Sequence, residues 1–498
     1  MPEQSSVRAR AALVTLVAGY LAMAVVAGAP NSPLTVLLPS ATAPPRWAHG
    51  LASASELDDL TRRGLTAVAW ALLLIVLAAF VLVVHEAWSK RIRLSAVLIA
   101  AGCSLLVAVA APLLLSRDIY TYAAYGRIES LYGRNPYLTT LSSFPHDPFV
   151  AVTSVQWLDT HSHYGPLFTL ASAGLARALG GSVAGTILAF KALAGVSIAV
   201  ATGLVALTAR RIRPERAALA AALVGVNPVI VVHTVGGGHV DALIAALLAA
   251  ACGLVVSRPD GASARAIAIT ALLTVACLVK TVMLPVLLLW LVWLARSRVV
   301  RTLAVHVLVI VALAVGSAGA FLSASHPFEP FASFGGIESW ASPSHFVGRT
   351  LVGYVASAHA VADVRVVVET AFLLLYAVLL WRLVRRVKEA DAHGLIAEWG
   401  IALFLLALSL PYLLPWYAAW FVPLLAFFED PLLTFAGVFA CIVLCSTLVP
   451  ADPFHGLTTP AVMDGVHYGA APLLLLVLVV IATPAASLPK WVCSGHQG

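Results

Sequence analysis

Charged residues are scarce in this sequence, and their scarcity excludes most classes of soluble protein. Asp, Glu, Lys and Arg make up 11% of the 498 residues, whereas 61% of the residues are hydrophobic. The mean hydropathy is +0.96. A soluble domain carries about 25% charged residues. The composition therefore predicts a polytopic membrane protein.

Cysteines are also few, and their positions exclude two common kinds of site. Five of the six lie inside apolar runs and the sixth, Cys493, lies in the short C-terminal tail. None has the spacing of a metal ligand or of a disulfide framework. His161 and His163 form only a weak metal pair, because no third ligand is evident. The sequence therefore predicts no metal and no cofactor.

Long apolar runs fill the sequence and predict an all-α bundle. About 13–15 of them are compatible with a bilayer core of about 30 Å. We interpret 1–487 as a single integral membrane domain and 488–498 as a tail. The first run follows Arg8 and Arg10 and is expected to be an uncleaved span. The runs lie near 11–29, 65–84, 94–115, 183–208, 217–235, 239–256, 265–279, 281–297, 300–322, 364–386, 398–413, 416–428, 432–449 and 469–487.

The basic residues indicate the orientation of these spans. They cluster between the apolar runs, and cytoplasmic loops of membrane proteins are enriched in Lys and Arg. This orientation puts 116–163 outside as the first large loop and 323–363 outside as a second loop region. Two segments do not fit a simple span: 164–180 is interpreted as re-entrant or incompletely spanning, and 348–362 as a surface or re-entrant helix. The clusters are Arg8/Arg10, Lys90/Arg91/Arg93, Arg210/Arg211/Arg213/Arg216, Arg258/Arg265, Arg296/Arg298/Arg301 and Arg382/Arg385/Arg386/Lys388.

The net charge of +7 has its ordinary cause in this topology, so no nucleic-acid partner is predicted. The inner loops are short and basic. Polar and aromatic residues concentrate in the outer segments instead, which predicts that any chemistry occurs on the extracytoplasmic face. No Asp-x-Asp motif occurs in those outer loops.

Asp118 follows directly on an apolar run, at the predicted outer edge of the bilayer. A carboxylate there is wetted yet feels a low dielectric, which suits a base acting on a lipid-borne substrate. Asp118, Tyr122, Tyr125 and Glu129 would share one face of a surface helix, where the rings could stack on a sugar. The alternatives are an interfacial aromatic belt and an ion pair between Asp118 and Arg117.

Three further polar residues lie in apolar surroundings. His239 and Asp241 follow three glycines, where backbone amides at a helix start could bind an anion or a hydroxyl. The alternative is a simple turn with Asp241 as a helix cap. Lys280 lies near the outer end of an apolar run, where it either snorkels to the surface or meets a lipid phosphate. Trp340, Trp416 and Trp420 are expected to be interfacial anchors first and sugar platforms second.

Several motifs, in order, resemble one family. DIYTYAAYGR, NPY, HYGPLF, NPVIVVHTVGGGHVDALI, a lysine after an apolar span, SWASPS and LPWYAAW lie between about residues 94 and 420. Their order is similar to that of the polyprenyl-phosphomannose-dependent α-1,6-mannosyltransferases of actinobacterial envelopes, integral membrane glycosyltransferases of the GT-C class. The sequence departs from that family at Val240, where Asn is more usual, and in HSHYGP, where Ser-Pro-like residues more often precede Tyr-Gly-Pro.

The resemblance implies a GT-C fold in the cell membrane with its active site on the extracytoplasmic face. It also implies a polyprenyl-phosphate-mannose donor, a mannosylated glycolipid acceptor and contact with membrane lipids. Asp118 matches the family's acidic residue in the first outer loop, which is taken to be catalytic. The residues predicted to bind substrate are Tyr120, Tyr122, Arg127, Asn135, Tyr137, Tyr164, His239, Asp241, Lys280, Trp340, Arg349 and Trp416.

Chemistry alone leads to a compatible mechanism. A polyprenyl phosphate is already a good leaving group, so the departing phosphate needs only cationic contacts, for which Lys280, Arg127 and Arg349 are the candidates. Asp118 would deprotonate the acceptor hydroxyl, and in-line attack would invert the anomeric carbon. The alternatives are a transporter or flippase of an envelope lipid, a non-catalytic assembly subunit, and a transferase of a pentose or glucose. A transporter would show repeated halves, and none is found in the sequence.

Overall fold

The computed structural model describes residues 5–36, 43–257, 263–295, 300–319, 321, 339–355, 358–387, 391–447 and 460–483. The predicted tail 488–498, Cys493, the part 323–338 of the second outer loop, and the basic residues Arg258, Arg296, Arg298 and Lys388 lie outside these residues. The described part is all-helical and contains a single isolated bridge, between Thr35 and Leu114. The all-α prediction is confirmed.

Twenty α-helices follow one another in the described residues, joined by short 3₁₀ and π segments. They are α1 (Val7–Gly28), α2 (Arg46–Ala54), α3 (Arg62–Trp88), α4 (Leu94–Ala110), α5 (Asp118–Ser130), α6 (Val155–Leu158), α7 (Pro166–Leu179), α8 (Val183–Ile212), α9 (Ala217–Gly225), α10 (Asp241–Val255), α11 (Ala264–Val279), α12 (Leu284–Ala295), α13 (Val300–Ala318), α14 (Pro343–Val352), α15 (Ala358–Val387), α16 (Ala392–Ser409), α17 (Ala418–Phe421), α18 (Pro431–Cys445), α19 (Pro460–Gly465) and α20 (Ala471–Ala482).

Six helical stretches of the described residues are long and apolar enough to cross a membrane, or seven if one bent pair is a single span. There are also eight shorter apolar helices, of 10–17 residues; seven coincide with other apolar runs, and the eighth, Pro166–Leu179, lies in the exceptional segment 164–180. The predicted class, a polytopic helical membrane protein, is confirmed, and the long spans are fewer than the apolar runs. The six are Val7–Gly28, Arg62–Trp88, Val183–Ile212, Ala360–Val387, Ala392–Ser409 and Met463–Ala482.

Prolines account for two apolar runs that do not form continuous helices. The run 217–235 breaks at Asn227 and Pro228 into α9 and a π-helix, Val229–Val235, bent by 40°. The run 416–428 forms short helical pieces, with Pro415 and Pro423 at the first positions of two of them. A proline lacks the N–H that would continue a helix ladder. Pro415–Phe427 is one of the eight shorter apolar helices and its pieces are buried in the protein, so the span at 416–428 stays a prediction.

The structure bears differently on the two segments that were not predicted to be simple spans, 348–362 and 164–180. The segment 348–362 is not one surface helix: α14 ends at Val352 and the long α15 begins at Ala358. Helix α7 has 14 residues and is about 21 Å long, short of the bilayer core. Its length is compatible with the re-entrant interpretation of 164–180.

Residues 111–117, which we call the strap, lead from α4 to Asp118 and are held by distant parts of the chain. Helix α4 ends before Pro112, and the Lys191 ammonium of α8 donates to the carbonyls of Ala111 and Pro112. The next residues pair with distant backbone, Leu114 N with Gly236 O at 3.1 Å and Leu115 N with Leu34 O at 3.1 Å. Leu115 has φ of 60°, a strained conformation for a branched side chain. The strap therefore fixes where α5, and with it Asp118, begins.

Candidate active site

Asp118 lies where two cavities of the protein meet. It is the first residue of α5, its backbone N–H donates to Ser116 Oγ at 3.2 Å, and its side chain is 23% exposed. It lines a larger cavity of about 560 Å³ and a smaller one of about 80 Å³. A carboxylate in this position can contact molecules bound in both cavities.

His239 is held against Asp118. Its Nδ1 lies 3.5 Å from Asp118 Oδ2 and 3.1 Å from the Tyr122 hydroxyl oxygen. The Trp416 ring stacks on the imidazole, with centroids 3.6 Å apart and planes 14° from parallel. A Cβ at position 237 would lie 2.7 Å from His239 Nε2, so only glycine allows the ring to lie here. These contacts clamp the imidazole with one nitrogen toward Asp118.

The contacts of His239 also assign its proton. Its Nε2 is buried and has no hydrogen-bond partner among the described residues. A buried N–H without an acceptor is rarer and more costly than a buried lone pair. We therefore assign the proton to Nδ1, which faces the oxygens of Asp118 and Tyr122. The imidazole is then a hydrogen-bond donor toward the ionised carboxylate.

Asp241 and Lys280 form a second polar pair beside the larger cavity. Lys280 Nζ donates to Asp241 Oδ1 at 2.9 Å, and Trp420 Nε1 donates to the same oxygen at 2.5 Å. Asp241 is fully buried, whereas the Lys280 side chain is 14% exposed and lines the cavity. The ammonium also lies 4.4 Å from the centre of the Tyr417 ring. Asp241 therefore holds the Lys280 charge at the cavity wall.

Aromatic side chains make up much of the larger cavity. Trp157, Tyr164, Tyr412, Tyr417 and Trp420 line it together with aliphatic residues. His163 also lines it, and burial, reinforced by the Lys280 ammonium, lowers the pKa of that histidine to about 4. His163 is therefore neutral at neutral pH. Among the described lining residues, the positive charge of this cavity comes from Lys280.

The smaller cavity has more hydrogen-bonding groups near Asp118. Arg117, Ser154, Gln156 and Ser339 line it, along with Trp340. Two tryptophans form part of its wall as well, Trp157 and Trp416, and both also line the larger cavity. The two spaces are thus separated by a thin wall of Asp118 and aromatic rings.

The predicted tyrosines of α5 are not among the residues that line the two cavities. Helix α5 forms as expected, but Tyr120, Tyr122 and Tyr125 are 0–2% exposed. Tyr122 packs edge-on against Tyr164 and Phe168. The expectation that these rings face a sugar along an open surface is not met, because α5 is buried by α7. Tyr122 contacts the site through His239 and through the ring of Tyr164.

Three other predicted residues have structural contacts away from the cavities. The Arg127 side chain is buried, bonded to Asp147 at 2.8 Å and to the carbonyl of Gly180. Asn135 donates from Nδ2 to Phe321 O at 2.8 Å. Tyr137 donates to Tyr164 O at 2.7 Å, and burial raises the pKa of Tyr137 to about 12. Arg127 is committed to Asp147 and does not line either cavity.

Of the other predicted residues, Tyr164 and Lys280 line the larger cavity, Trp340 lines the smaller one, and Trp416 lines both. The Arg349 guanidinium stacks over Trp340 at 4.3 Å, so Arg349 lies behind that wall. Sequence reasoning missed Trp157, His163, Tyr412 and Tyr417 as lining residues. The dense aromatic segment 411–420, broken by prolines, was the available signal for two of them.

A metal site does not emerge from this geometry. In the described ranges, no group of three or more His, Cys, Asp or Glu side chains could hold a metal ion. A metal-independent reaction stays a prediction.

The fold and the site define a class: a helical, polytopic membrane protein with a carboxylate between two cavities beside a paired lysine. A family model described as alpha-(1->6)-mannopyranosyltransferase, N-terminal domain, matches residues 16–297, more than half of the chain. The chain belongs to this family. The matched range includes Asp118, His239, Asp241 and Lys280, and it ends before Trp340 and Trp416.

One curated relative is similar over a shorter stretch. It is alpha-(1->6)-mannopyranosyltransferase A of Corynebacterium glutamicum, 30% identical over 140 residues. The aligned region covers 28% of this chain and 28% of the relative. The family and this relative bear out the predicted resemblance.

Proposed function

We propose that this protein transfers a mannosyl residue from a polyprenyl-phosphate-mannose donor to a mannan-type glycolipid acceptor, forming an α-1,6 linkage with inversion. The observation that carries the proposal is the position of Asp118, which lines two cavities at once, one of them with a cation in its wall. A transferase needs a base between two bound substrates. Membership of the α-1,6-mannopyranosyltransferase family supports the sugar and the linkage.

The larger cavity suits the donor. Its volume of about 560 Å³ and its aromatic walls fit a sugar with the first part of a lipid chain. Lys280 would contact the phosphate, and Asp241 positions the ammonium rather than binding substrate itself. The smaller cavity, with its hydroxyl, amide and guanidinium groups, suits the accepting end of a glycan.

Asp118 would act as the base. Its carboxylate takes the proton of the acceptor hydroxyl while that oxygen bonds to the anomeric carbon of the donor. The bond from that carbon to the phosphate oxygen breaks on the opposite face, and the electron pair leaves with the polyprenyl phosphate. Lys280 compensates the charge on the leaving phosphate, so no general acid is required.

We propose that His239 is a positioning residue for this base. Its Nδ1–H faces the carboxylate, and the clamped ring restricts the orientation that Asp118 can adopt. Positioned donors of this kind orient a catalytic group without touching the substrate. Tyr122 would support the imidazole in turn.

We further propose that 1–487 works as one membrane domain with its active site on the extracytoplasmic face. The site is built from segments far apart in the chain: Trp420 bonds to Asp241 across 179 residues, and Trp416 stacks on His239. The basic clusters between spans support the orientation.

The test is transfer of radiolabelled mannose from polyprenyl-phosphate-mannose to a short α-1,6-mannoside in membranes containing the protein. A positioned base contributes about 10²–10⁴ in rate, so Asp118→Asn should lose most of the activity while its abundance is unchanged. Glu129→Gln, on the same helix and away from both cavities, is the matched control and should keep wild-type activity. Wild-type-like transfer by Asp118→Asn would refute the base. No transfer by the wild type would refute the donor or the acceptor.

A further inference from the structure

A third cavity, unrelated to Asp118, lies between two helix junctions. It has a volume of about 930 Å³ and is larger than the two at the candidate active site. Its walls are the α3–α4 turn, from Ala87 to Leu98, and the α8–α9 junction, from Arg210 to Ala218. We name it the basic groove because Lys90, Arg93 and Arg210 line it.

The basic groove lies on the membrane face opposite Asp118. Arg93 directly precedes α4 and Asp118 follows it, and the 17 residues of α4 span about 25 Å. Helix α8 also places the basic groove and Asp118 on opposite faces. Its Lys191 touches the strap beside Asp118, and Arg210 lies about 28 Å further along the helix. These lengths approach the thickness of the bilayer core, about 30 Å.

The three cations of the groove have no polar side-chain partner among the described residues. Nearby basic residues have partners: Arg216 donates to Phe428 O at 2.8 Å, and Arg91 pairs with Glu86 at 3.2 Å. Within the described part of the chain, the side chains of Lys90, Arg93 and Arg210 make no ion pair or hydrogen bond. Glu215 is the single acid among the described residues of the wall. The groove therefore carries a surplus of positive charge suited to an anion.

The backbone at Lys90 is a second observation. Lys90 ends the turn after α3 with φ of 59°, a left-handed conformation in which glycine is less strained. Arg91 N–H donates to Glu86 O at 2.8 Å across this residue, so the conformation closes the C-terminus of α3. At this position the lysine directs an ammonium group into the groove region.

The groove also has an apolar side. Leu94 and Leu98 line it from one face of α4, and Leu98 is 38% exposed. Further along the same helix Leu106 is 72% exposed, as expected of a surface that contacts lipid chains. A ligand that matches both the basic and the apolar side of the groove has an anionic head and an apolar tail lying along α4.

We propose that the basic groove binds the phosphate headgroup of an anionic phospholipid, with the acyl chains along α4. Basic pockets between helices at the membrane edge bind such headgroups. The basic groove is separate from the candidate active site. Its proposed lipid is neither a substrate nor a product of the proposed transfer reaction.

The test compares lipid binding by the purified full chain in detergent, using native mass spectrometry. The probes are phosphatidylglycerol, phosphatidylcholine with the same acyl chains, and glycerol phosphate. The groove variant is Lys90→Gln/Arg93→Gln/Arg210→Gln. The control Arg8→Gln/Arg10→Gln/Arg382→Gln removes three exposed charges from two other basic clusters.

We expect the wild type and the control to bind phosphatidylglycerol on the order of a hundredfold more tightly than the groove variant does. Phosphatidylcholine should bind weakly to all three. The proposal would be overturned if the groove variant bound phosphatidylglycerol as tightly as the wild type. It would also be overturned if the control lost as much affinity as the groove variant. Binding of glycerol phosphate as tightly as the lipid would also overturn it, because the acyl chains would then contribute nothing. Melting temperatures report whether each variant is folded.

Discussion

His239 shows how one side chain can acquire a role from its surroundings. Its ring is fully buried, stacked by Trp416 and confined by Gly237. Within the described residues, its polar contacts are made by Nδ1, with Asp118 and Tyr122. These contacts support the proposed role of His239 as a positioning residue for Asp118, where the sequence predicted substrate binding.

The first prediction concerns this support. His239→Ala should lower kcat by roughly 10- to 100-fold, because a hydrogen bond to a charged group is worth about 1.5–3 kcal/mol. KM for both substrates should change little, since the ring is buried behind the cavity wall. Loss of a donor to the ionised carboxylate makes protonation of Asp118 easier. The acidic limb of the rate profile should therefore move to higher pH.

Steady-state kinetics from pH 5 to 8 would measure both effects. His239→Asn, which keeps a donor on a short side chain, is the conservative variant and should recover part of kcat. If His239→Ala raised KM and left kcat and the pH profile unchanged, the residue would bind substrate as the sequence suggested.

At the scale of elements, α5 is the helix that carries Asp118, the proposed base, and both of its ends are tied to other segments. The strap of residues 111–117 holds its start through Lys191. Its other end is tied by Arg127, which bonds to Asp147 and to the carbonyl of Gly180 after α7. Tyr132 also donates to Asp147, at 2.8 Å. These contacts hold both ends of the helix that carries Asp118.

The second prediction tests the Arg127–Asp147 tie. Both side chains are buried, and removal of one partner from a buried pair typically costs about 3–5 kcal/mol. Arg127→Gln and Asp147→Asn should each lower the melting temperature of the purified protein. A cycle with the double variant should show strong coupling, because the second change no longer leaves an unpaired charge.

Arg134→Gln is the matched control, since Arg134 is an exposed arginine of the same loop. Its melting temperature should equal that of the wild type. Additive losses in the double variant would mean that the two residues act separately, which contradicts the tie.

At the scale of the whole molecule, the path of the chain through the membrane decides which face carries the site. Helix α7 is too short to cross a bilayer core alone, and it packs beneath α5. If α7 returns to the side from which it entered, α8 crosses next and brings Arg210 and Arg211 to the cytoplasmic side.

The third prediction follows from this path. In a protein with Cys103 and Cys493 changed to Ser, Gly181→Cys should react with a membrane-impermeant maleimide in whole cells. Arg211→Cys should react only after the membrane is permeabilised. Labelling of intact cells gives the measurement, with a cysteine at Arg382 as an inside control. The opposite pattern at 181 and 211 would mean that α7 crosses the membrane.

Part of the site was predictable from local sequence. Asp118 could be found because a charged residue at the end of a long apolar run is costly in the membrane and is usually kept there for a function. Lys280 could be found for the same reason. The burial of the α5 tyrosines was not predictable, because helical periodicity gives a face but not what covers it. The pairing of Arg127 was not predictable because its partner, Asp147, lies 20 residues away in a loop without a regular pattern.

The sequence by itself determined that this is an all-helical membrane protein, because composition and run length act through the solvent and need no partner in space. It also determined that the acid stands at a helix start beyond an apolar segment. Only the tertiary structure decided which polar groups meet: Asp118 with His239, and Asp241 with Lys280 and Trp420. These contacts join segments far apart in the chain, and they depend on how buried helices pack, which local periodicity does not specify.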